Sequence, residues 1–237
     1  MQTLDTAQLI ALAAAIGWAS GVRLYAVVLL IGMAGFLGWV DLPNGLRLLA
    51  HPVVLGASGF MVFVEFFADK IPGLDSLWDL VHTVIRIPAG AALAGSVFGA
   101  DSATMGLLAA IVGGSLAATS HVAKATTRAA INTSPEPFSN IGASLLEDGL
   151  VPLLLWAAVA SPLLFAAGLL CLLLLSSWLI RTCWRYLRSV FSRVTRIFSG
   201  RPDPGAEPAF QWGRKPVPTF APASSEPLST STELPHV

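Results

Sequence analysis

The chain is 237 residues long, 54% hydrophobic and only 12% charged, with zero formal net charge at pH 7. That is about half the charge a soluble domain carries, which excludes a water-soluble globular protein, and no basic surface for nucleic acid is implied. Cys171 and Cys183 would stand roughly 18 Å apart on one helix, too far for a disulfide, and no Cys or His recurs at metal-ligand spacing, so no metal or cofactor is expected.

The opening Met1-Gln2-Thr3-Leu4-Asp5 is not basic and does not look like a cleavable signal peptide, so the first apolar stretch is expected to stay as a membrane helix. It covers residues 8–40, interrupted only by Arg23. Wholly helical, it measures roughly 50 Å, more than one bilayer core, while two spans need about 40 residues; one long or broken helix is expected. Asp41-Leu42-Pro43-Asn44-Gly45 is turn chemistry and ends it. A second span covers 51–70 and stops at Ile71-Pro72-Gly73. A third covers 74–100 and is expected to kink at Pro88. A fourth covers 103–132, and Thr133-Ser134-Pro135-Glu136-Pro137 breaks it. The fifth covers 139–160, and Ser161-Pro162 opens a sixth that ends near Ile180. Residues 149–180 carry no charge, so one tilted helix there is the alternative. The fold class is therefore all-α, a polytopic membrane bundle over 1–180 with about six spans, five being the rival count.

Beyond it, Trp184, Leu187, Phe191, Val194 and Phe198 recur at helical spacing with arginines around the other arc. Residues 181–198 read as a basic amphipathic helix on an anionic leaflet, or equally as a stop-transfer charge cluster. Eight basic residues lie between Arg181 and Lys215, which places this end in the cytoplasm by the positive-inside rule. Pro, Ser, Thr and Glu dominate 199–237, the composition of a disordered tail.

Charges inside the spans carry the functional signal. An arginine at a helix centre, as Arg23 is, costs about 2.5–3.5 kcal/mol on insertion scales and must pair or face a wet cavity. Glu65 and Asp69 share a face of the second helix. Asp75, Asp79, His82 and Arg86 form a stripe on the third, and His121, Lys124 and Arg128 one on the fourth; Glu147 and Asp148 lie inside the fifth. Because successive helices alternate direction, all fall in one leaflet, while 24–40, 52–64, 87–100 and 102–120 hold no charge. The pattern predicts a polar cavity open to the cytoplasm under apolar helix halves; ion pairs that merely fix helix packing are the plainer alternative. For Arg23 the favoured partner is Glu65, from the next span, with Glu147 second. Ala91, Gly95 and Gly99, and Gly106, Ala110 and Gly114, are small-residue stripes for close helix packing. A basic helix precedes an acidic one twice, three spans apart, with Gly56-Ala57-Ser58 and Gly142-Ala143-Ser144 opening the acidic members. That odd offset would invert the copies, as in many secondary transporters.

Gly21-Val22-Arg23-Leu24-Tyr25-Ala26-Val27, the run from Val64-Glu65-Phe66-Phe67-Ala68-Asp69-Lys70 through Ile71-Pro72-Gly73-Leu74-Asp75-Ser76-Leu77-Trp78-Asp79, and Arg86-Ile87-Pro88-Ala89-Gly90 resemble a bacterial membrane family, domain of unknown function 4126, over roughly residues 8–180. The resemblance implies a multi-pass inner-membrane protein and no activity. A fainter similarity is to cation/proton exchangers with Glu-x-Gly-Asp-Lys in each half; here the spacing from Glu65 to Asp69-Lys70 is one residue longer and lacks the glycine.

The leading expectation is a transporter for a small solute or ion, with membrane lipids as its surroundings. The alternative is a non-transport envelope protein that binds lipid headgroups or partner proteins. Asp75, Asp79 and His82 raise an intramembrane enzyme as a third option, but no phosphatase or phosphotransferase signature surrounds them, and no enzyme activity is expected.

Overall fold

A computed structural model describes residues 4–71, 73–99, 102–133 and 137–198, so the proposed tail of 199–237 lies outside the described residues. Residues 1–193 form one unit; of the second, 194–237, the described part is the end of the last helix. The described residues are helical: α1 Thr6–Phe36, a 3-10 segment Asn44–Ala50, α2 Pro52–Ala68, α3 Leu74–Ser96, α4 Ala103–Ile131, α5 Pro137–Ala160 and α6 Pro162–Phe198.

Local chemistry sets the starts. Asp5 accepts from the Gln8 N–H at 2.7 Å while the Gln8 side chain accepts from the Asp5 N–H at 2.8 Å, a capping box that opens α1. Ser102 caps α4 through the Met105 N–H, and Gly73, at φ +87°, makes the left-handed turn into α3. Pro88 sits within α3, which continues helical through it. The break at Ser161 separates α5 from α6, which excludes a single helix over 149–180. Past Ile180 there is no second break, so the basic segment continues α6.

The first helix departs most from expectation. Arg23 has φ −145° and ψ 81°, outside helical values. On a continuous helix Leu12 and Ile31 would stand about 28 Å apart, yet both line one cavity of about 370 Å³ with Leu155 and Val159 of α5. Gly17 and Val28 likewise both reach the Gly90 region of α3, one beside Gly90 and the other in a cavity with Ala89 and Leu93. The chain therefore runs in to Arg23 and back out beside itself. Non-helical backbone at membrane depth is tolerated where protein buries it. Accordingly, 67% of α1's apolar window is buried, against 22%, 28% and 11% for those of α4, α5 and α6. Of the two basic helices in the anticipated repeat, only α1 has this break.

Four described helices are long and apolar enough to cross a membrane (α1, α4, α5 and α6), and five qualify if the 3-10 segment and α2, bent by 69°, count as one. Of the six expected spans, α3, which carries Asp75, Asp79 and Arg86, is the one outside this count. Outward-facing Leu80, Val84, Leu146 and Leu163 are 69%, 78%, 71% and 83% exposed while the charges lie inside, the arrangement of a protein solvated by lipid.

The first half of α1 packs between α3 and α4 through small residues. A Cβ on Gly17 would stand 2.5 Å from the Gly113 Cα, and one on Gly21 would strike the Ala117 carbonyl and Ser120 Oγ. The stripes read from the sequence meet as expected: Gly95 lies against Gly106 and Ala110, and Gly114 against Ala91.

Candidate functional site

The inward run of α1 ends at Val22, and side chains of α4 bond to carbonyls of its last two turns. Ser120 Oγ donates to the Trp18 carbonyl at 2.6 Å, His121 Nδ1 lies 3.3 Å from the Gly21 carbonyl, and Lys124 Nζ donates to the Val22 carbonyl at 3.2 Å. The lysine also suits the negative end of a half-helix. The break places Arg23 among side chains of α5 and against Asp69 at the end of α2. Its guanidinium lies 2.9 Å from Asp148, 3.2 Å from Asp69 and 4.0 Å from Glu147, and donates to Ser144 Oγ at 2.9 Å.

From Arg23 the ion pairs spread. Lys124 reaches Asp69 at 2.8 Å, Glu147 at 3.3 Å and Asp79 at 3.6 Å. Arg128 pairs with Glu147 at 3.1 Å and donates to the Asn140 carbonyl at 2.9 Å. Arg86 holds Asp79 at 2.6 Å and Glu65 in a short contact. Lys70 lies over the Phe66 ring, donates to Ser144 Oγ and sits 3.7 Å from Asp148. Arg23, Lys70, Arg86, Lys124 and Arg128 thus face Glu65, Asp69, Asp79, Glu147 and Asp148. The balance of five against five lets so much charge be buried.

The expected pair of Arg23 with Glu65 does not form. Glu65 is held by Arg86, and Asp69, one turn further along α2, takes Arg23. The choice of Glu65 assumed that sequential spans pair, whereas the half of α1 leading to Arg23 lies along α3 and α4. The third-helix stripe also divides. Asp79 and Arg86 join the ion pairs. Asp75 accepts from the Gly73 and Ser76 N–H groups and from Asn132 Nδ2, at 2.9, 2.6 and 2.8 Å. His82 stacks on Trp78 and meets the Tyr25 hydroxyl at 3.1 Å. The charges were expected to line an open cavity; they pack on one another instead. Arg23, Glu65, Asp69, Asp75, Asp79, His82, Arg86, His121, Lys124 and Arg128 are all buried, and the more open charges are Glu147 at 14%, Lys70 at 20% and Asp148 at 28% side-chain exposure.

Sequence reasoning missed the uncharged members. Asn140 and Asn132 link Arg128 to Asp75 through hydrogen bonds of 3.1, 2.7 and 2.8 Å. Asn140, Ser144, Glu147 and Asp148 fall at helical spacing, a signal that could have found the two uncharged residues. Thr83 and Tyr25, the hydroxyl partners of the histidines, had no such pattern. One oxygen each of Glu65, Asp69 and Asp79 is buried without a protein hydrogen-bond donor. Among the described residues no group of His, Cys, Asp and Glu could hold a metal ion.

The profile of a family described as Domain of unknown function (DUF4126) matches residues 10–182. That range takes in the helix break and every charged residue of the site. No curated protein and no solved structure matches the chain.

Proposed function

The chain belongs to the DUF4126 family, and from that premise and the site's geometry we propose that it is a transporter of a small solute or ion in the bacterial inner membrane, with a cytoplasmic carboxyl terminus. The observation that carries this reading is the broken helix. Transporters commonly place their sites where a membrane helix is interrupted, because half-helix ends and free carbonyls can bind there. In this chain the interruption falls on Arg23, at the meeting point of α2, α4 and α5. The bare oxygens of Glu65, Asp69 and Asp79 are acceptors that a proton or a donor group of a solute would satisfy. Glu147, Asp148 and Lys70 form the edge through which it would enter. Orientation rests on the basic residues that follow Ile180. Catalysis is not part of the proposal, because Asp75, Asp79 and His82 turn to different partners.

A second reading, a headgroup- or partner-binding envelope protein, is favoured by the one-sided charge. Reconstitution into liposomes separates the two. Uptake or release of at least one member of a panel of ions and small metabolites is expected, reduced about tenfold or more by Arg23→Gln. No flux across the panel, together with a phospholipid retained by the purified protein, would establish the second reading instead.

A further inference from the structure

The two buried histidines have the same arrangement. His82 Nδ1 lies 2.8 Å from the Trp78 carbonyl and Nε2 lies 3.1 Å from the Tyr25 hydroxyl. His121 Nδ1 lies 3.3 Å from the Gly21 carbonyl and Nε2 lies 2.7 Å from Thr83 Oγ1. A carbonyl only accepts, so in each ring Nδ1 carries the proton. A hydroxyl donates or accepts, so it suits Nε2 whether that nitrogen is bare or protonated.

At His121 the arrangement is complete, because the Thr83 proton has two places to go. Thr83 Oγ1 lies 2.9 Å from the carbonyl of Asp79, one turn back on α3, as well as 2.7 Å from His121 Nε2. With a neutral ring, Thr83 donates to Nε2. With a protonated ring, Nε2–H donates to Thr83, whose own proton rotates to the Asp79 carbonyl. Both states keep their hydrogen bonds without moving a heavy atom. We propose that His121 is a proton-binding site at the centre of the bundle and that Thr83 is its switching hydroxyl. The step forms an Nε2–H bond with a proton taken from hydronium, whose O–H bond breaks and leaves water.

The charged groups acting on the ring are Arg86 and Asp79 on α3 and Lys124 on its own helix. Burial opposes the imidazolium most, and Arg86 and Lys124 oppose it too, while Asp79 and the carbonyl at Gly21 favour it. Protonation therefore adds a cation to a set of ion pairs that is otherwise balanced, next to the lysine that caps Val22. This part rests on the transport reading: such a proton is the coupling ion, because it loosens the contacts that hold the break closed.

The test is nitrogen NMR of the full chain in nanodiscs, labelled at histidine and titrated from pH 8 to pH 5. The His121 signals are identified by their loss in His121→Gln. Nε2 is expected to pass from bare to protonated over that range. Thr83→Val removes the hydroxyl on Nε2 that serves both states, and since bonds to charged groups are roughly twice as strong as neutral ones, the midpoint should fall by about one pH unit, with Thr83→Ser restoring it. A His121 that stays neutral down to pH 5 overturns the proposal, as does a midpoint indifferent to Thr83→Val. If that variant does not fold, the wild-type titration decides. Flux measured on the same protein keeps the two ideas apart: a titrating His121 without flux refutes transport alone, and flux with a neutral His121 refutes the proton site alone.

Discussion

Arg86→Leu is expected to lose most of its folded protein in the membrane, with a destabilisation of about 3–5 kcal/mol, the cost of stranding one member of a buried pair. Arg86 is fully buried between Glu65 and Asp79. Asp79 would keep Lys124 at 3.6 Å. Glu65, itself fully buried, would keep no ion partner, and its second oxygen already lacks a donor. Glu65→Leu should cost less, because Arg86 retains Asp79. The double variant Glu65→Leu/Arg86→Leu should recover part of the Arg86→Leu loss, since no carboxylate at position 65 is then left bare. Arg23→Leu combined with Glu65→Leu should lie closer to the sum of its single effects than the Glu65/Arg86 pair does, because the two residues share no direct contact and connect only through Asp69, Lys124, Asp79 and Arg86. Thermal unfolding of the three single and two double variants in detergent reads all of this. An Arg86→Leu protein that melts with wild type would show that the charges carry no structural weight.

Gly21→Leu is the second large effect. The Cβ of any residue at position 21 would strike the carbonyl of Ala117, which belongs to a helix backbone and cannot swing aside. Overpacking costs typically 1–3 kcal/mol where side chains can adjust; against fixed backbone a loss of about 3 kcal/mol or more is expected. The consequence is also functional, because separating α1 from α4 withdraws Ser120, His121 and Lys124 from the carbonyls before the break. Gly142→Ala and Gly168→Ala are the controls: nothing lies within 4 Å of a Cβ at either position, and both should fold as wild type. Normal melting of Gly21→Leu would mean that the two helices do not approach closely there.

The two variants also mark what the sequence could and could not reveal. Span ends were legible where their causes are local: Ser161-Pro162 parts α5 from α6, whereas α1 ends at Phe36, with Gly38 at φ 71°, before the Asp41 to Gly45 turn read as its stop. The gathering of charge at one end of the bundle was legible too, because helix direction alternates and Glu65, Asp79, Lys124 and Glu147 then fall at one depth. The break at Arg23 was not. Gly21-Val22-Arg23-Leu24-Tyr25 contains no proline and no turn sequence, and what sustains the break lies about a hundred residues away, in Lys124 and His121. Nor could the pairing be read, since spacing assigns a residue to a helix face but does not say which helix that face meets. Asp69 rather than Glu65 reaches Arg23, where Lys124 of α4 and Asp148 of α5 also meet the pair.

The fold-back of α1 is the premise on which the site depends, and one distance tests it. Spin labels on Ile10→Cys and Phe36→Cys, both exposed positions, can be placed in a chain whose Cys171 and Cys183 are replaced by serine. If α1 doubles back at Arg23, the two labels stand at the same end of adjacent helices, whose axes lie about 8–10 Å apart, and the measured distance should be under about 25 Å once the label arms are included. A continuous helix would hold them about 39 Å apart. A single narrow distribution near that longer distance would remove the break, the capping of Val22 by Lys124 and the site built on them.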